Sequence, residues 1–73
     1  MLHKLTLNEI KLLGVTHFYG VLKNQHNVIE SFKLESNNKI KYWDTHEDHW
    51  EGVNELYFKD CTKYLFVLED NDE

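Results

Sequence analysis

The stretch Tyr42-Trp43-Asp44-Thr45-His46-Glu47-Asp48-His49-Trp50-Glu51 gathers two imidazoles, four carboxylates and two indoles into ten consecutive residues. His46 and His49 stand three apart. On a helix that spacing puts both imidazoles on one face, where they could share a metal. A zincin helix needs His-Glu-x-x-His, and His-Glu-Asp-His is one residue short, so the protease chemistry fails on spacing. A structural zinc would need two more ligands from His3, His17, His26, Cys61 or a carboxylate. A metal- or pH-responsive domain built on His46 and His49 is therefore the alternative reading of this segment.

Its first reading is a recognition surface. Trp is over-represented among residues that dominate binding energy, and Trp50 lies among charged neighbours where exposure is expected. Trp43, at a strand end, is the one expected in the core. Around Trp50 the acids Asp44, Glu47, Asp48, Glu51 and Glu55 would meet a basic partner surface. Catalytic constellations are absent by comparison. Ser31 and Ser36 sit in no Gly-flanked elbow, Cys61 lies between Lys59 and Lys63 with no assigned base, and no Gly-rich loop offers to hold a phosphate. No enzyme and no cofactor are expected.

The charge of the whole chain agrees with that reading. Residues 1–43 carry six Lys against three Glu, for +3, while residues 44–73 carry ten carboxylates against two Lys, for −8. Four of those ten form the tail Glu69-Asp70-Asn71-Asp72-Glu73, expected to be frayed. An acidic half repels nucleic acid and attracts basic protein surfaces. All eight cations are Lys, so no guanidinium fork is present to read phosphate or guanine. Arg, Ala and Pro, whose codons are GC-rich, are absent, while residues with AT-rich codons such as Lys and Asn are frequent, the composition expected of AT-rich coding.

Positioning such residues falls to one small domain spanning 1–73, with 1–68 as its folded core. A chain of 73 residues buries about 60% of the surface its unfolded form exposes. Ten of its thirty hydrophobic residues are aromatic, so the thin core leans on Phe, Tyr and Trp. The lone cysteine excludes a disulfide framework. No apolar run reaches a membrane span, and Met1–Lys11 lacks a signal-peptide stretch, so a cytoplasmic protein without membrane contact is expected.

Thr6-Leu7-Asn8-Glu9 fits a capping box, with Leu5 and Ile10 spaced as a hydrophobic staple and Gly14 placed to end the helix. The pattern predicts a helix over Leu7–Leu13 that buries Leu7, Ile10 and Leu13. Thr16–Lys23, Val28–Glu35 and Lys39–Trp43 read as strands, with Val28, Phe32 and Leu34 on one face of the second. Turns are predicted at Asn24–Asn27 and Ser36–Asn38. Asp44–Gly52 reads equally as one helical turn or as a loop. Val53–Lys59 and Lys63–Glu69 are predicted to pair as a hairpin across Asp60-Cys61-Thr62, the last strand being central because both its faces are apolar. The expected fold class is α+β: a short N-terminal helix packed on a four- or five-stranded antiparallel sheet, a meander of hairpins.

Leu5–Thr16 also resembles the opening of a helix-turn-helix DNA-binding unit, and that resemblance implies nucleic-acid contact. It is one residue short between Thr6 and Gly14, which rotates the helix face by about 100°. His17–Lys23, which follows, is aromatic rather than Arg- or Ser-rich. Direct nucleic-acid binding is therefore not expected. The sequence favours a small, acidic, non-enzymatic protein-binding module whose partner carries a basic surface, homodimerisation being compatible. Its functional form would be an inhibitor, virus- or mobile-element-encoded, that imitates nucleic-acid charge and blocks a nucleic-acid-handling protein.

Overall fold

The computed structural model describes residues 2–23, 26 and 28–68. The first helix is built by its caps. Thr6 Oγ1 accepts from the Glu9 N–H at 3.1 Å and the Thr6 N–H donates to Glu9 Oε1 at 2.8 Å, so two of the orphan amides of α1 (Leu7–Leu13) are satisfied reciprocally. Gly14 closes the helix in the left-handed region at φ 71°, a conformation that costs glycine nothing. Leu7 and Ile10 are buried, but Leu13 is 67% exposed, against the sequence reading. Each three-residue step turns the side chain back by about 60°, so two steps carry Leu13 out of the stripe that Leu7 begins.

A strand the sequence does not announce precedes this helix. β1 (Leu2–Leu5) pairs with β6 (Thr62–Leu68), Leu2 opposite Leu68 and Leu5 opposite Leu65. Leu-His-Lys-Leu has neither β-branched nor aromatic residues; it is a strand because β6 supplies an edge. The helix is therefore the second element, not the first.

The second departure is α2 (Glu55–Cys61), which occupies most of the expected Val53–Lys59 strand. Asn54 caps it: its Oδ1 accepts from the N–H groups of Leu56 (2.9 Å) and Tyr57 (3.3 Å). Glu55 in the first turn and Lys59 in the last suit the helix dipole, and Phe58 is the single residue that α2 buries. At the far end the Thr62 hydroxyl donates to the Phe58 carbonyl at 2.8 Å. The expected hairpin across residues 60–62 is thus a helix running directly into β6.

The remaining strands are β2 (His17–Leu22), β3 (Ile29–Leu34), β4 (Ile40–Asp44) and β5 (His49–Val53). Among the described residues the sheet has six antiparallel strands in the order β1-β6-β2-β3-β4-β5, where the sequence predicts four or five. Strands β2 to β5 form a meander; β2, β3 and β4 match expected strands, whereas β5 falls in the stretch read as a helical turn or loop. β6 returns to lie between β1 and β2, so it is interior, as its two apolar faces require. Of the turn expected at Asn24–Asn27, only His26 lies within the described residues, and the expected frayed tail Glu69–Glu73 lies outside them.

Residues paired across strands share a face of the sheet, and two adjacent rows show how the faces differ. Phe18, Phe32, Tyr42 and Glu51 run across β2–β5 on the face that packs against the helices; His17, Lys33, Lys41 and Gly52 run across it on the other. The core joins Phe18, Phe32, Ile40 and Leu65 of the sheet to Leu7, Ile10 and Phe58 of the helices. Phe58 meets Phe32 edge-on with ring centroids 4.9 Å apart, and Phe18 stacks on Phe32 at 5.7 Å. Gly20 makes room for that stack, because a Cβ there would lie 2.7 Å from Phe32 Cε2. Among the described residues no helix is long and apolar enough to cross a membrane.

Candidate functional site

The acidic segment is neither a helical turn nor an open loop. It is the β4–β5 hairpin, with Trp43 opposite Trp50, Asp44 opposite His49, and residues 45–48 as the connection. Asp44 organises the turn: its Oδ1 accepts from the N–H groups of His46 (2.9 Å) and Glu47 (3.2 Å), and its carbonyl accepts from the Asp48 N–H at 2.8 Å. Asp48 takes the left-handed position at φ 61°, which Asp tolerates better than most residues. Glu47 and Asp48 are exposed at the tip.

His46 and His49 consequently do not share a helical face. His46 is exposed in the turn, while His49 begins β5 and pairs its Nε2 with the Glu51 carboxylate. That hydrogen bond is the main reason the His49 imidazole titrates above its ordinary range, aided by the Glu47 carbonyl and by the charges of Glu51 and Asp44 against a smaller opposing effect of burial. Among the described residues no three His, Cys, Asp or Glu side chains are grouped to hold a metal ion.

The structure does not gather the predicted acids around Trp50. Side chains alternate along a strand, so Trp50 and Glu51 point to opposite faces. Trp50 lies on the helix-free face, half-buried, edge-on to Trp43 at 5.3 Å and to His17 at 6.0 Å, with Lys33 Nζ 4.9 Å from its ring centre. Trp43 has the same intermediate burial rather than a core position. Glu55 is separated from the tip by the length of β5. There it accepts from Lys11 Nζ at 3.4 Å and lies 3.7 Å from Lys59 Nζ, tying α1 to α2.

What the hairpin does bring together is a set of carboxylates on the helix side. Tyr42 and Glu51 are paired, and Glu30 and Asp44 continue the same face of β3 and β4. Their mutual influence is electrostatic. Burial first, then Asp44, raises the Glu30 carboxyl above its ordinary range. The Tyr42 hydroxyl is likewise raised, by burial and then by Asp44, Glu51 and Glu30. Beside this group, between the sheet and α2, lies a cleft of about 230 Å³, lined by Glu30, Phe32, Tyr42 and Val53 from the sheet and by Tyr57, Phe58 and Cys61 from the helix.

No protein family, curated protein or solved structure matches this chain. Its chemistry must be read from its own residues. Sequence reasoning missed Glu30, although a signal was present: in the strand over 28–35 the even positions Val28, Glu30, Phe32 and Leu34 alternate to one side, and Glu30 is the charged member of an apolar row.

Proposed function

We propose that this protein is a small, non-enzymatic binding module that presents its acidic β4–β5 hairpin to a basic surface of another protein. In its fullest form it is a cytoplasmic inhibitor, encoded by a virus or mobile element, that imitates nucleic-acid charge and occupies a nucleic-acid-handling protein. The observation that carries this reading is where the negative charge is left uncancelled. Glu35 is bridged by Lys33 (3.6 Å) and Lys41 (3.5 Å), and Glu55 by Lys11 and Lys59, whereas among the described residues Glu9, Glu30, Asp44, Glu47, Asp48, Glu51 and Asp60 form no lysine ion pair, and four of these seven, Asp44, Glu47, Asp48 and Glu51, lie on the hairpin. Five carboxylates and no lysine lie between Lys41 and Lys59. Unneutralised charge on an exposed turn steers encounter with a partner of opposite sign, and that contribution is screened by salt.

Affinity capture from the native source tests it, using the wild-type chain beside a Glu47→Lys/Asp48→Asn variant. Asn keeps the left-handed position of residue 48 comfortable, so the variant changes charge and spares the turn. A stoichiometric partner with a basic surface, retained at low salt by wild type and lost by the variant, is the expected result. A partner held equally by both proteins would refute the acidic hairpin as the contact.

A second reading has one observation in its favour. The His49–Glu51 pair puts a titrating group on the same hairpin, so acidification would add a proton beside the carboxylates and weaken their attraction for a basic partner.

A further inference from the structure

The cleft under α2 combines three features that belong to one kind of ligand. Its inner surface is apolar and aromatic, with Phe32, Val53 and Phe58 behind it, and Tyr42 and Tyr57 provide ring surfaces. Glu30 contributes a carboxylate to the lining, and among the described residues no lysine neutralises it. Asp44 and Glu51, close enough to act on the Tyr42 hydroxyl, make the surroundings more negative. The volume, about 230 Å³, lies below the roughly 300–1,000 Å³ of pockets that enclose drug-sized molecules. It suits a single side chain. A long aliphatic stem ending in a cation would bury methylenes against the apolar wall and place its charge beside a carboxylate and aromatic faces.

We propose that this cleft receives a lysine side chain of the basic partner, the ammonium paired with Glu30 and lying against Tyr42 and Tyr57. Glu30 then has a role that packing does not give it. A carboxylate placed in an apolar row loses hydration, and an incoming ammonium returns the lost interaction. The inference rests on the reading of the hairpin as a contact for a basic protein: the exposed acids steer the partner, and the cleft fixes its register.

The test needs no identified partner. Nα-acetyl-lysine N-methylamide is titrated into the full chain by amide NMR, beside the same compound acetylated at Nζ, which keeps the stem and removes the charge. Saturable shifts at Glu30, Tyr42, Tyr57 and Cys61 are expected for the lysine compound, with binding about tenfold weaker or worse for the acetylated one. Glu30→Gln, whose spectrum should otherwise overlay that of wild type, is expected to abolish the difference between the two. The Glu47→Lys/Asp48→Asn variant should bind the lysine compound as wild type does, which separates this site from the steering acids. Equal binding of both compounds, shifts confined to the Trp43–Trp50 face, or no saturable shift would each overturn the proposal and leave the hairpin reading standing. If capture shows a partner indifferent to the hairpin while the cleft still selects lysine, the hairpin reading fails and the lysine site survives.

Discussion

His49 shows how the charge of one residue on the β4–β5 hairpin is read out. Its imidazole is held above the usual range of about 6.5, first by the hydrogen bond to Glu51. A group whose folded value is raised adds stability that is fully present below the unfolded value and is lost as pH rises through the folded one. Urea midpoints measured across that window should therefore fall as pH rises above about 6.5. Glu51→Gln should flatten this part of the profile, and an unchanged slope in the variant would show the pair to be without effect on folding. Trp50 is held by packing instead. It is wedged between Trp43, His17 and Lys33, so its contacts are intramolecular and its face is not the acidic one. Sequence alone put Trp50 and Glu51 in one patch because neighbours in a chain look adjacent. Once the segment is a strand, adjacency means opposite sides.

At the scale of elements, the legible parts were those decided locally. α1 could be read from Thr6, Glu9 and Gly14, because caps act over three or four residues. Thr6→Ala should cost about 1 kcal/mol in chemical denaturation, and Asn54→Ala, which uncaps α2, should cost a similar ~1 kcal/mol. If Asn54→Ala proved neutral, the cap would not be what selects helix over strand after β5. Reading α2 from sequence was harder. Val53-Asn54-Glu55-Leu56-Tyr57-Phe58 has enough β-favouring residues to pass as a strand, and in the helix Phe58 alone is buried while Leu56 and Tyr57 remain largely exposed. With one buried residue there is no helical periodicity to detect; the Asn54 cap was the usable signal. β1 carried no signal of its own, since its partner lies at the other end of the chain. The cleft inherited this difficulty, because one of its walls is α2. Glu30, on the sheet side, was readable from alternation, but Tyr57 and Cys61 become its neighbours only through the helix.

At the scale of the whole molecule, the largest buried cluster lies between the sheet and two short helices, and Val21 and Phe66 are buried apart from it. Chelation with EDTA should leave the thermal midpoint unchanged. A substantial fall would instead put a metal on His46 or His49, since a structural ion supplies folding free energy directly. The strand order also bears on how the sheet assembles. Leu2 pairs with Leu68, a separation of 66 residues (68 minus 2), and among the described residues β1 has no neighbour in the sheet except β6. The meander of β2–β5 can form from neighbours in the chain, but β6 must slot between β1 and β2 before β1 has a partner and before β2 has its second one. Closing so long a loop comes late and slowly. Until β6 docks, β1 and one flank of β2 remain open edges, so the sheet closes in a single late step that joins the two ends of the described fold.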